Sequence, residues 1–94
     1  MSDFLVEVGR IAKALAGRDK DRFFMIVKVV DANYVLLSDG ETRKLESPKL
    51  KKLKHLHLTP TVLSGIAEKI AGEKKVFDAE LRSAIMKAGY NLNP

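Results

Sequence analysis

Few residues in this chain can do chemistry, and most of those that can are cationic. Two histidines, His55 and His57, stand at i, i+2. On a strand that spacing puts both imidazoles on one face, about 6–7 Å apart. A metal centre would need more ligands, and the chain has no cysteine and no carboxylate pair beside them. They read as surface or phosphate-contacting imidazoles. Ser47 and Ser64 have no histidine relay in sequence terms, and carboxylates occur singly among basic residues. Gly-x-Ser-x-Gly, the phosphate-binding P-loop and Gly-x-Gly-x-x-Gly are all absent. Without cysteine there is no thiol nucleophile and no disulfide framework. The expectation is a protein that is not an enzyme, with no cofactor, no metal and no small-molecule substrate.

What remains is charge, and it is concentrated. Arg43, Lys44, Lys49, Lys51, Lys52 and Lys54 fall between Arg43 and His57 with only Glu46 against them, so this stretch carries a formal +5. The whole protein has 17 Lys+Arg against 12 Asp+Glu, also +5, which leaves the remaining residues neutral as a set. A local cluster of cations binds a polyanion by releasing condensed counterions, which a scattered charge of the same size does poorly. The competing reading is a lysine-rich edge strand that blocks edge-to-edge pairing. A second group, Arg18, Lys20 and Arg22, is interleaved with Asp19 and Asp21. It suits a self-compensated solvated loop as well as a phosphate contact.

The elements that must position these residues change character near Leu58. Phe4–Leu15 is a long extended candidate whose apolar alternation shifts phase at Gly9, a sign of a bulge or bend. Residues 16–22 form a charged loop. Phe23–Val30 is apolar on both faces as far as Val27 and predicts the most buried strand. Asp31-Ala32-Asn33 is a turn, Tyr34–Ser38 a strand, and Asp39-Gly40 a hairpin signal. Thr42–Leu45 follows as a strand, Pro48 punctuates, and Leu53–Leu58 closes the meander. Phe23 and Tyr34 suit the core, or a base-stacking platform if one faces outward. Beyond Leu58, Thr59 and Pro60 suit a helix start. Val62, Ile66 and Ile70 with Leu63 and Ala67 make an apolar stripe that Gly72 ends. Asp78 suits the cap of a second helix with Leu81, Ala84, Ile85 and Ala88 on its apolar face.

The class expected is mainly β: a small five-stranded barrel, because closure removes the exposed edges of so short a meander. Two short C-terminal helices follow it. The division predicted is 1–58 for the barrel and 59–94 for a helical extension packed on or beside it. With 94 residues, there is no room for a dinucleotide domain plus a substrate domain or for a (β/α)8 barrel. No apolar run reaches the ~18–20 residues of a membrane helix. The N-terminal Met-Ser-Asp-Phe-Leu-Val-Glu lacks the basic-then-apolar order of a secretory signal. A cytoplasmic protein with no membrane partner is expected.

Val8-Gly9-Arg10-Ile11, leading into Leu15-Ala16-Gly17-Arg18-Asp19-Lys20, then the strand Phe24–Val30 and Val35-Leu36-Leu37-Ser38-Asp39-Gly40, resembles the KOW motif. In that motif a strand, a glycine-containing loop and a second strand open an SH3-like barrel. The run Arg43-Lys44-Leu45, Pro48-Lys49 and Leu53-Lys54-His55-Leu56, with Asp78-Ala79-Glu80-Leu81-Arg82-Ser83-Ala84-Ile85 in the tail, is similar to a bacterial family of KOW-domain RNA-binding proteins. That family is itself similar to archaeal and eukaryotic KOW-type large-subunit ribosomal proteins. The resemblance implies RNA binding, with ribosomal RNA as the expected partner and ribosomal or transcription proteins as further ones. It assigns Gly17 as the signature glycine, Arg18 and Lys20 as polar loop contacts, and Lys49, Lys54 and His55 as the basic closing segment. Arg43, Lys44, Lys51 and Lys52 join them on charge. One residue departs from the pattern: Asp21 stands where the family loop carries a second glycine. The alternative function is an adaptor that docks on translation or transcription machinery through the barrel or the tail.

Overall fold

The apolar run at the centre of the chain organises the sheet. The computed structural model describes residues 4–92, and in it Phe23–Val29 forms β2. Flanking β2 are β1 (Arg10–Ala14) and β3 (Tyr34–Ser38). The edge strands are β4 (Lys49–Lys52) and β5 (Leu56–Val62), giving the antiparallel order β4-β3-β2-β1-β5. One 3-10 turn, Leu53–His55, joins β4 directly to β5, so the two edges of the sheet are consecutive in the chain. Helices α1 (Ser64–Ala71) and α2 (Asp78–Lys87) follow. Among the described residues no helix is long and apolar enough to cross a membrane.

Strand alternation gives the sheet two apolar faces. Ala12, Ala14, Phe24, Ile26, Val35, Leu37, Leu56 and Leu58 form one core. Ile11 and Met25, one residue out of phase, point to the opposite face, as successive strand residues must. There they pack against Ile66 of α1 and against Leu81 and Ile85 of α2. This explains why β2 is apolar on both faces: Phe24, Met25 and Ile26 are all essentially inaccessible. The helical tail is the cover that the second face requires.

The mainly-β class, the five strands and the two helices match the sequence reading; the closed barrel does not follow. Among the described residues no ladder joins β4 to β5, so the hydrogen-bonded sheet stays open. Single backbone bonds span the turn region instead. Leu53 N donates to Asn33 O (2.8 Å) and Leu15 N to His55 O (2.9 Å).

The closing strand expected over Leu53–Leu58 starts only at Leu56, because Leu53–His55 turns the chain from β4 into β5. Three further boundaries differ, each for a visible reason. First, residues 4–8 are not strand. The Arg10 guanidinium captures Leu5 O (3.0 Å) and Glu7 Oε2 (3.0 Å), gathering that segment into a turn before β1. The phase change expected at Gly9 shows as a register shift between Arg10 and Ala12 opposite β5. Second, residues 42–45 are turn, because Asp39 and Ser38 bind the backbone there, and the fourth strand starts only after Pro48. Third, Thr59 and Pro60 extend β5 and do not cap a helix. β5 pairs only with β1, and an edge strand is where a missing proline N–H costs least. Thr59 is fixed by Oγ1 donating to Ile11 O (2.8 Å).

The sheet and α2 meet at Gly40. Its φ is +76°, and a Cβ there would lie 2.2 Å from the carbonyl oxygen of Asp78. On the same contact, Leu45 N donates to Asp78 Oδ1 (2.8 Å). Gly40→Ala must therefore push the start of α2 away. The expected loss is about 2–4 kcal/mol, from ~1–3 for overpacking and ~1 for the left-handed backbone. A urea titration followed by far-UV circular dichroism checks it.

Candidate nucleic-acid interface

The basic run becomes an edge strand and the turn that follows it. In β4, Lys49 and Lys51 stand opposite Leu37 and Val35, so they share the face of the first core and sit at its rim. Lys52 stands opposite Tyr34 with its ammonium 5.7 Å from the ring centroid, a cation–π contact. Lys54 and His55 lie in the 3-10 turn, with Lys54 exposed. His57 is one strand position further, exposed and opposite Lys13 in β1. The two histidines therefore do not share one strand face, since His55 is in the turn and His57 in β5.

The glycine loop closes onto this run. Lys51 Nζ donates to Ala16 O (3.0 Å), across the open end of the sheet. Gly17 has φ +84°, and a Cβ there would come within 3.3 Å of the same Nζ. The signature glycine thus adopts a backbone that side chains disfavour and leaves room for the lysine that reaches over it. Asp21, in the second glycine's position, takes φ +71°. Its N–H donates to Ala14 O (2.7 Å), and its carboxylate faces Lys13 at 3.7 Å.

Asp39, which the sequence alone marks only as part of a hairpin turn, ties this loop to the β3–β4 connection. Asp39 is 1% exposed. It accepts from Arg43 N (2.8 Å), Glu41 N (3.0 Å), Thr42 Oγ1 (2.8 Å) and the Arg22 guanidinium. Arg22 also pairs with Glu41. Burial by itself would raise the Asp39 carboxyl. The backbone N–H groups of Arg43 and Glu41, then Arg22 and Thr42, outweigh it and hold the group below its usual range. Arg43 in turn donates Nε and Nη2 to Asp19 Oδ2 (3.1 and 2.9 Å). Arg22 and Arg43 are thus neutralised within the protein. No sequence signal distinguished these two arginines from the lysines around them.

The predicted residues therefore divide. Gly17, Lys51 and the 3-10 turn with Lys54 and His55 come together at one rim. Arg18, Lys20, Lys44 and Lys49 carry no ion pair among the described residues. Arg43 belongs to the carboxylate network. The rim thus sets the ammonium groups of Lys49, Lys51 and Lys54 along one edge beside the loop, an arrangement suited to a chain of phosphates.

No known family profile matches the chain. It is 33% identical over 84 residues to the large ribosomal subunit protein eL14 of Saccharolobus islandicus strain L.S.2.15 / Lassen #1, covering 89% of this chain and 80% of the relative. The eL14 proteins of strains M.14.25 / Kamchatka #1 and M.16.27 match to the same extent.

The buried carboxylate is open to a stability test. Asp39→Asn removes one of the two carboxylates on Arg22, which keeps Glu41 and some solvent, and the expected loss is about 1–3 kcal/mol, that of a charged hydrogen bond weakened at a buried acceptor. The pH dependence has a definite sign. With the folded pKa below the ordinary 3.8, the stabilisation is complete above that value and is lost as pH falls through the folded pKa. Chemical denaturation between neutral pH and about pH 2 checks both, the second because Asp39→Asn removes this acid-sensitive component.

Proposed function

The chain belongs to the eL14 family of large ribosomal subunit proteins, and we propose that it is a ribosome-associated RNA-binding protein that grips ribosomal RNA by its phosphate backbone. One observation carries the reading: the uncompensated lysines of β4 and the 3-10 turn adjoin the glycine loop through the Lys51–Ala16 bond. On this reading Lys44, Lys49, Lys51, Lys52 and Lys54 take phosphates, helped by His55, and Arg18 and Lys20 extend the contact from the loop. Gly17 lets the backbone come close, and Arg43 holds the loop through Asp19. Backbone contacts fix position and carry little sequence information, so structured RNA is recognised mostly by shape. No catalytic step is involved, and the working site is the cytoplasmic ribosome.

The finer features belong to the same proposal. The loop acts as a KOW loop, and the open sheet serves as an SH3-like barrel whose edges the 3-10 turn links. The chain stands in a bacterial branch of the lineage, a reading supported by Lys54-His55-Leu56 and the tail pattern at residues 78–85. The sheet, which runs to Val62, holds the RNA, and α1 and α2 cover its second face.

A second reading has an observation of its own. Phe77, Leu92 and Met86 in the tail are 62%, 61% and 44% exposed, which suits docking on another protein of the translation or transcription machinery. Pull-downs before and after ribonuclease treatment separate the readings. Loss of the ribosomal partners with the RNA is expected, and their persistence favours the adaptor.

The salt dependence of RNA binding tests the main reading. About six phosphate contacts predict a slope of log affinity against log salt between about −4 and about −5. Replacing Lys49, Lys51, Lys52 and Lys54 together with Ala flattens that slope by about 3 and weakens binding to all RNAs alike. Filter binding at several salt concentrations measures both.

A further inference from the structure

Beside the glycine loop lies an open cavity of about 650 Å³, within the ~300–1,000 Å³ of small-ligand sites. Its walls include Leu15, Leu53, Leu56 and Leu58, with Phe4, whose ring also carries the Arg10 guanidinium 5.4 Å from its centroid. Among the described residues its ionisable lining groups are Lys54 and His57, and none is a carboxylate. We infer that this cavity takes one unstacked nucleotide of the bound RNA, an inference that rests on the RNA-binding reading above.

Chemistry and position both favour that occupant. A nucleotide joins a flat heterocycle, which suits aliphatic and aromatic walls, to an anionic phosphate, which suits a rim of Lys54 and His57. Single-stranded bases are held in this way, stacked on side chains while cations track the backbone. An aliphatic protein segment would fill the same walls but would have to cover the Lys54 ammonium without pairing it, which is costly. Position adds to the argument. Leu15 lies two residues before Gly17, and Lys54 is the last lysine of the basic run, so a strand following the basic rim passes the mouth of the cavity.

The test uses the intact protein and two RNA hairpins of equal length and phosphate count. One carries a single bulged adenosine, and the other has an abasic ribose at the same place. The protein is expected to bind the adenosine hairpin about 5-fold or more tighter, the yield of one stacked base. Leu15 is 44% exposed, so Leu15→Glu charges the cavity wall without opening the core, and it should bring the ratio to one. Leu15→Trp, which fills the space, should do the same. Lys49→Ala should weaken both hairpins and keep the ratio. A ratio near one with both hairpins bound overturns the inference, leaves RNA binding intact and gives the cavity to a protein segment. A ratio that survives both Leu15 variants also overturns it, because the base then sits elsewhere. If neither hairpin binds, the RNA-binding reading itself fails.

Discussion

The arrangement of the basic edge depends on one buried carboxylate. Asp39 is taken out of water and repaid by two backbone N–H groups, a hydroxyl and a guanidinium. The backbone bonds coil residues 39–43 into a turn. The guanidinium, from Arg22, pins the far end of the glycine loop to that turn. The coiled turn then presents Arg43 to Asp19, which pins the middle of the same loop. Two connections that are distant in sequence become one unit, and the loop cations and the β4 lysines hold fixed relative positions. A guanidinium suits both tasks because its planar donors engage carboxylates at defined angles, which an ammonium does not.

A two-faced sheet imposes the second constraint. In a five-stranded sheet with one apolar face, the central strand would alternate. Here it does not, and Met25 with Ile11 demands a cover that α1 and α2 supply. The tail is fastened by more than apolar contact. Tyr90 packs on Phe23 with ring centroids 4.7 Å apart and planes tilted by 42°, and its hydroxyl meets Thr61 Oγ1 at 2.7 Å. Asn91 exchanges two hydrogen bonds with the Phe23 backbone. Helices in this position leave the rim formed by β4, the 3-10 turn and the glycine loop uncovered. The division between a covered face and an open rim follows from which strand residues are apolar on both sides.

Much of this was legible in the sequence, and the failures share a cause. Alternation and length located β2 within one residue and β3 at both ends, because those strands are defined by their own side chains. Besides residues 53–55, where a turn replaces the expected strand, the segments misread, residues 4–8, 42–45 and 59–62, are decided by partners far away or by side chains that bind backbone. Arg10 gathers the first, Asp39 and Ser38 the second, and pairing with β1 holds the third in β5. Composition carries no trace of those bonds. The site divides in the same way. The lysine run is a feature of the sequence and survives intact in the fold. The neutralisation of Arg22 and Arg43 requires Asp39 and Asp19 to come near, and only the fold brings them there.

This division changes what the local charge means. Counted along the chain, Arg43–His57 owes its +5 partly to Arg43, yet Arg43 is committed to Asp19 and contributes less to the outward field than its formal charge implies. The loop compensates in the opposite sense. Asp19 is consumed by Arg43, and Asp21 faces Lys13, so Arg18 and Lys20 are left more exposed to solvent and phosphate than their acidic neighbours suggest. Arg22, committed to Asp39 and Glu41, offsets the Arg43–Asp19 pair between the two connections, and the cations left unpaired in the loop are Arg18 and Lys20. Local sums of charge do not say which cations face outward, because ion pairs redistribute charge along the distances that folding creates. In this protein the unpaired loop cations adjoin the strand from which Lys51 crosses to the loop.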